Sequence, residues 1–98
     1  MRVVFSKRAR RQFETASAWW REHRDHAPYL FEDEVIRAAK LLAVVPYAGI
    51  AGRDERLTSV RRVVLQQSQY FLYYRVREAT RTVENLRLWH TRRRPPKR

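Results

Sequence analysis

Along the first half of the chain the apolar residues return every three or four positions; along the second half they alternate. Ala9, Phe13, Ala16 and Trp20 fall on one face of a helix predicted over residues 7–24, leaving Lys7, Arg8, Arg11 and Glu22 to solvent. Ser6 stands ahead of it as an N-cap, behind a short β-branched and aromatic run at residues 2–5 that reads as a strand. Residues 25–28 form a tight link. Pro28 is expected in the first turn of a second helix, where its missing N–H would be unpaired in any residue. Glu32, Asp33 and Glu34 near that start complement the helix dipole. Phe31, Val35, Ala38, Leu42 and Val45 carry the apolar stripe to Pro46, which ends the helix because the residue before a proline is forced out of the α region.

Residues 46–58 hold both glycines and read as the main loop. Beyond it the period becomes two. Residues 60–65 and 70–76 form a hairpin around Gln66, Gln67, Ser68 and Gln69, and residues 82–89 form a last strand after a polar turn at 78–81. Leu72, Tyr74 and Val76 alternate with Phe71, Tyr73, Arg75 and Arg77; Leu86 and Leu88 alternate with Asn85, Arg87 and Trp89. The sheet should therefore have one apolar face and one aromatic, basic face. The order β-α-α-β-β-β predicts an α+β fold: a helical hairpin packed on a small, mostly antiparallel sheet. A single domain is expected over residues 1–91, with a basic tail over residues 92–98 that Pro95 and Pro96 keep out of any strand.

Charge changes this picture more than composition does. The 98 residues carry 22 Lys plus Arg against 10 Asp plus Glu, a net charge of +12, with an apolar fraction of 44% that is ample for a core. Residues 1–50 have a net charge of +3 and residues 51–98 a net of +9, so the field belongs mostly to the strands and tail. Such a surface attracts nucleic acid and acidic polypeptides alike. The absence of cysteine excludes a disulfide scaffold, thiolate metal ligands and a cysteine nucleophile. No signal peptide and no apolar run of membrane-spanning length is present, so a cytoplasmic protein without membrane contact is expected. His23 and His26 lack further ligands at metal spacing, and neither a metal nor a cofactor is expected.

Several segments, taken in order, resemble the ParE/RelE superfamily of toxins from type II toxin–antitoxin modules. They are Val-Val-Phe-Ser-Lys-Arg-Ala, Ala-Trp-Trp-Arg-Glu-His-Arg, Ala-Pro-Tyr-Leu-Phe, Val-Pro-Tyr-Ala-Gly, Val-Arg-Arg-Val-Val-Leu, Tyr-Phe-Leu-Tyr-Tyr-Arg-Val and Leu-Trp-His-Thr-Arg-Arg. The resemblance implies a small toxin held by a cognate antitoxin, acidic and encoded adjacently, in a toxin–antitoxin hetero-oligomer. It also implies one of two targets: DNA gyrase for ParE-like members, or mRNA on the ribosome for RelE-like endoribonucleases.

Chemistry separates the two branches. A metal-independent ribonuclease needs a base, an acid and clustered cations at one phosphate. RelE-like nucleases commonly carry an arginine in the middle strand where this chain has Phe71, and lysines where it has only Arg53 and Arg56 between Lys40 and Arg61. The ParE-like branch is therefore expected, acting by binding. Should the chain cut RNA, the candidates are His90, Arg92, Arg93 and Arg61. A non-catalytic nucleic-acid-binding module is a further alternative, with Phe71, Tyr73 and Trp89 stacking bases. Target binding is assigned to Arg75, Arg87, Trp89, Arg92, Arg93 and Arg94. Antitoxin binding is assigned to Trp19, Phe71, Tyr73 and Arg62. Arg61 and Arg62, adjacent in a strand, point to opposite faces.

Overall fold

A computed structural model describes residues 1–51 and 60–92. Strand β1 (Arg2–Phe5) runs into Ser6, whose hydroxyl accepts the Ala9 N–H at 3.0 Å and so starts helix α1 (Lys7–His23). The same hydroxyl donates to the Leu86 carbonyl at 3.0 Å, and the Ser6 N–H donates to the Asn85 carbonyl at 2.8 Å. One residue thereby caps a helix and fixes where that helix leaves the sheet.

Helix α2 (Leu30–Val44) begins later than expected. Pro28 lies in the turn before it, between Ala27 and the Leu30 N–H that bonds the Ala27 carbonyl at 3.3 Å. A proline suits that turn position for the same reason it suits a helix start, its preset φ. The stripe also ends earlier than expected. Val45 is the non-helical C-cap and remains 46% exposed, so Leu42 is the last core residue of α2.

Strands β2 (Ile50–Ala51), β3 (Val60–Leu65), β4 (Tyr70–Arg77) and β5 (Thr82–His90) complete a five-stranded sheet in the order β1-β5-β4-β3-β2. The β1–β5 pairing is parallel and the other three are antiparallel. The two-residue β2 lies inside the segment expected as loop, too short for any period to betray it. Both helices cover one face, where Ala9, Phe31, Val35, Leu42, Leu72, Tyr74, Val83 and Leu88 are buried. Phe31 joins the layers, its ring 5.8 Å from Phe13 and 4.9 Å from Tyr70. Each buried valine, leucine or phenylalanine side chain among them contributes about 1.5–3 kcal/mol by leaving water.

The expected alternation fails in one place. Tyr73 pairs with Arg87 but Tyr74 pairs with Asn85, so Leu86 is an extra residue, a β-bulge that reverses the phase of β5. Asn85, not Leu86, is the fully buried residue, while Leu86 is half-buried. The bulge re-aims the rest of the strand. Arg87 and Trp89 consequently share a face with Glu84 rather than with Asn85.

Candidate functional site

Directly paired residues in neighbouring strands share a face, so the register defines the surface left bare by the helices. Arg62, Tyr73 and Arg87 form one row across β3, β4 and β5; Val64, Phe71 and Trp89 form the next. Arg75 pairs with Glu84 in a third. The expected target-binding Arg75, Arg87 and Trp89 and the expected antitoxin-binding Phe71, Tyr73 and Arg62 thus occupy a single sheet face. The Arg62 guanidinium lies 4.4 Å from the Phe71 ring centre, and the Phe71 and Tyr73 rings meet edge to face at 6.0 Å.

The cations of this face differ in their surroundings. Glu84 binds Arg75 at 3.2 Å and Arg77 at 3.3 Å, offsetting one of the two positive charges at that corner. Arg62 and Arg87 have no ion pair among the described residues. Burial, then repulsion from Arg8 at the start of α1, pull Arg87 below the usual guanidinium range, opposed by Tyr73. A half-buried cation beside a second cation, without an ion pair among the described residues, would gain from an acidic partner. Arg8 was missed by sequence reasoning because nothing local links the first turn of a helix to the last strand.

His90 is elsewhere. It pairs with Tyr70 on the helix-covered face, its ring 5.2 Å from the Tyr70 ring, and its Nδ1 accepts the Arg92 N–H at 3.1 Å. That bond leaves the proton on Nε2. Arg61 shares this side of the sheet but lies four residues along and two strands across, roughly 16 Å away. Its guanidinium donates to the Gly49 carbonyl at 2.8 Å and the Tyr47 carbonyl at 3.3 Å, a structural use. The sheet therefore keeps His90 and Arg92 apart from Arg61, and puts Arg62, Arg75 and Arg87 on its other side. Arg93 and Arg94 lie outside the described residues.

Trp19 is 44% exposed near the end of α1, stacked on His23 at 4.7 Å with the Arg24 guanidinium over its ring. Trp20, next in sequence, turns into the core as its place in the stripe requires. Helix α2 leaves Ile36, Leu41 and Val44 exposed, and an apolar groove of about 440 Å³ runs between the helices over Phe5, Phe13 and Val35. Of these helix positions the sequence singles out Trp19 for the antitoxin, and not Ile36, Leu41 or Val44. Among the described residues no group of His, Asp and Glu could hold a metal ion, and no helix is long and apolar enough to cross a membrane.

The family model for the ParE toxin of type II toxin-antitoxin systems, parDE, matches residues 3–95. No curated protein matches in sequence. Two solved structures share the fold. A chain of the chromosomal ParDE TA system from P. aeruginosa is 18% identical with a TM-score of 0.68, over 92% of this chain and 95% of that one. The YoeB/ParE toxin from Agrobacterium tumefaciens is 13% identical with a TM-score of 0.65, over 92% of this chain and 98% of that one.

Proposed function

The chain belongs to the ParE toxin family of type II toxin–antitoxin systems, and we propose that it arrests growth by binding an essential target, DNA gyrase, without cutting nucleic acid. The observation that carries this reading is the division of the candidate residues by the sheet. The bare face offers Arg62, Arg87, Phe71, Tyr73 and Trp89 for contact, while its carboxylate, Glu84, is tied to two arginines. The proton-transfer candidate, His90, stands on the opposite face beside Arg92, in a groove that holds no carboxylate, lysine or second histidine among the described residues. General acid–base cleavage needs an acid and a base together with cations within hydrogen-bond reach of one phosphate. Binding needs only the rings and the unpaired cations.

On the same reading a cognate antitoxin, acidic and encoded adjacently, silences the toxin in a hetero-oligomer. Its carboxylates pair with Arg62 and Arg87, and its apolar side chains cover Phe71, Tyr73, Trp19 and the exposed stripe of α2. Apolar and cationic surfaces of this kind call for a partner that is both acidic and amphipathic. A protein acting inside the cytoplasm on these targets needs no cofactor or membrane.

The test is a gyrase supercoiling assay with stoichiometric toxin, beside a translating extract probed for mRNA cleavage. Inhibited supercoiling with intact transcripts supports the proposal. Unimpaired supercoiling with translation-dependent cleavage lost on His90→Ala would establish the ribonuclease reading instead.

A further inference from the structure

A second concave surface lies on the helix side of the sheet, and of its lining Trp19 and Trp89 enter that reading. Along one flank of α1, beside the β3–β4 turn and the end of β5, runs a groove of about 630 Å³. Its walls include Arg11, Arg24 and Arg92 and, among the described residues, no aspartate or glutamate. None of these three arginines has an ion pair among the described residues. The Arg24 guanidinium stands 5.3 Å from the Trp19 ring centre and 5.5 Å from that of Trp20, whose rings meet at 73°, and His23 stacks on Trp19 at 4.7 Å, so the cation already sits in an aromatic corner. Ser68, only 3% exposed, also lines the groove, and its hydroxyl has no hydrogen-bond partner among the described residues. A buried hydroxyl without a partner is costly unless something in the groove bonds it.

The geometry is elongated. Arg11 and Arg24 are thirteen residues apart along the helix and its cap, roughly 20 Å at 1.5 Å per residue. A compact anion cannot meet both. Acidic peptide would satisfy the guanidiniums, and its backbone the amide of Gln67, but its carboxylate side chains offer no flat group to stack on the Arg24 plane beside Trp19. Single-stranded nucleic acid supplies every match: phosphates at intervals for the arginines, flat bases for the Arg24 plane, base edges for the amides and Ser68.

We propose that this groove along α1 binds a short run of single-stranded nucleic acid, its phosphates on Arg11 and Arg92 and a base stacked on the Arg24 plane beside Trp19. The site is on the helix side of the sheet, opposite the Arg62–Tyr73–Arg87 row, with Trp89 the residue its lining shares with the bare face. It would let the toxin hold an exposed strand while its bare sheet face engages another partner.

Fluorescence anisotropy with labelled six-nucleotide RNA and DNA, and a duplex for comparison, tests this on the full chain. The expected result is saturable, salt-sensitive binding of single strands in preference to duplex, weakened roughly tenfold by Arg24→Gln and by Trp19→Ala. Trp19 is exposed, so its removal spares the core, and Arg37→Gln on the far helix serves as the charge control. A difference between the RNA and DNA arms identifies the natural strand. The proposal is overturned by absence of binding at low salt, by equal losses in Arg24→Gln and Arg37→Gln, or by loss in Arg87→Gln alone. It is also overturned if poly-glutamate binds as tightly with the same dependence on Arg24, which would make the groove a peptide site. None of these outcomes depends on whether gyrase is inhibited.

Discussion

The backbone N–H of Gly49 donates to the buried hydroxyl of Tyr74 at 2.7 Å, joining the segment after α2 to the centre of the sheet. Arg61 closes the same joint by donating to the Gly49 carbonyl, and β2 begins one residue later. The joint orients the edge of the sheet beside Arg62, at the margin of the bare face.

Gly49 is required for space rather than for its backbone angle. A Cβ there would stand 2.6 Å from the Tyr74 hydroxyl oxygen and 2.8 Å from the Arg62 carbonyl oxygen, and the second is backbone that cannot swing away. Gly49→Ala is expected to lower stability by about 1–3 kcal/mol. Urea unfolding would show a lower midpoint at unchanged slope.

Burial raises the Tyr74 pKa above its ordinary 10.0, against smaller opposing effects of the Gly49 N–H and Arg61. The native state therefore holds this proton more firmly than the unfolded chain does. Its contribution to stability is complete below about pH 10 and is lost as pH rises through the native value. Tyr74→Phe should flatten the alkaline fall in melting temperature while costing about 1–3 kcal/mol at neutral pH, where Gly49 loses its acceptor.

Glu34 reaches from α2 to accept the N–H groups of Gln67 at 3.0 Å and Ser68 at 2.7 Å, and it is buried. Two backbone donors of the β3–β4 turn thus depend on one carboxylate. Glu34→Ala should destabilise the chain by about 1.5–3 kcal/mol, with Glu34→Gln less harmful because one acceptor oxygen remains. Faster amide exchange at residues 67 and 68 would identify the turn as the part released.

For the bare face, Arg87→Gln should leave folding stability within about 0.5 kcal/mol of the parent, since it removes repulsion from Arg8 as well as favourable contacts. It should nevertheless weaken antitoxin binding by roughly tenfold. Calorimetric titration of the antitoxin into both proteins measures this, and the difference should shrink as salt is raised.

Growth arrest separates binding from cleavage. His90→Ala is expected to remain toxic on induction, whereas a combined Arg62→Ala and Phe71→Ala change should abolish toxicity without loss of fold. Colony counts after induction report both, with circular dichroism as the check on folding. A non-toxic His90→Ala would favour the ribonuclease.

Much of this architecture was legible in local pattern. The helical stripe placed Ala9, Phe13, Ala16 and Trp20 correctly, and strict alternation put Arg61 and Arg62 on opposite faces, as the register confirms. Alternation also grouped Phe71, Tyr73 and Arg75 on the face opposite Leu72 and Tyr74. It failed at Leu86, where a bulge adds a residue that no period can announce. The groove along α1 stayed hidden for a related reason: Arg11, Ser68 and Arg92 are separated by most of the chain and meet only after the sheet closes.

By itself the sequence determined the two helices, the three long strands, the surplus of positive charge and the resemblance to one family of toxins, because helix and strand periods and charge are properties of short segments. Only the tertiary structure decided which cations lack a counter-charge and which residues can act together. Glu84 pairs with Arg75 and Arg77 but not with Arg87, and the sheet parts His90 from Arg62 and Arg87. Those outcomes follow from strand pairing and its bulge, which bring distant residues to within hydrogen-bond reach or set them on opposite faces.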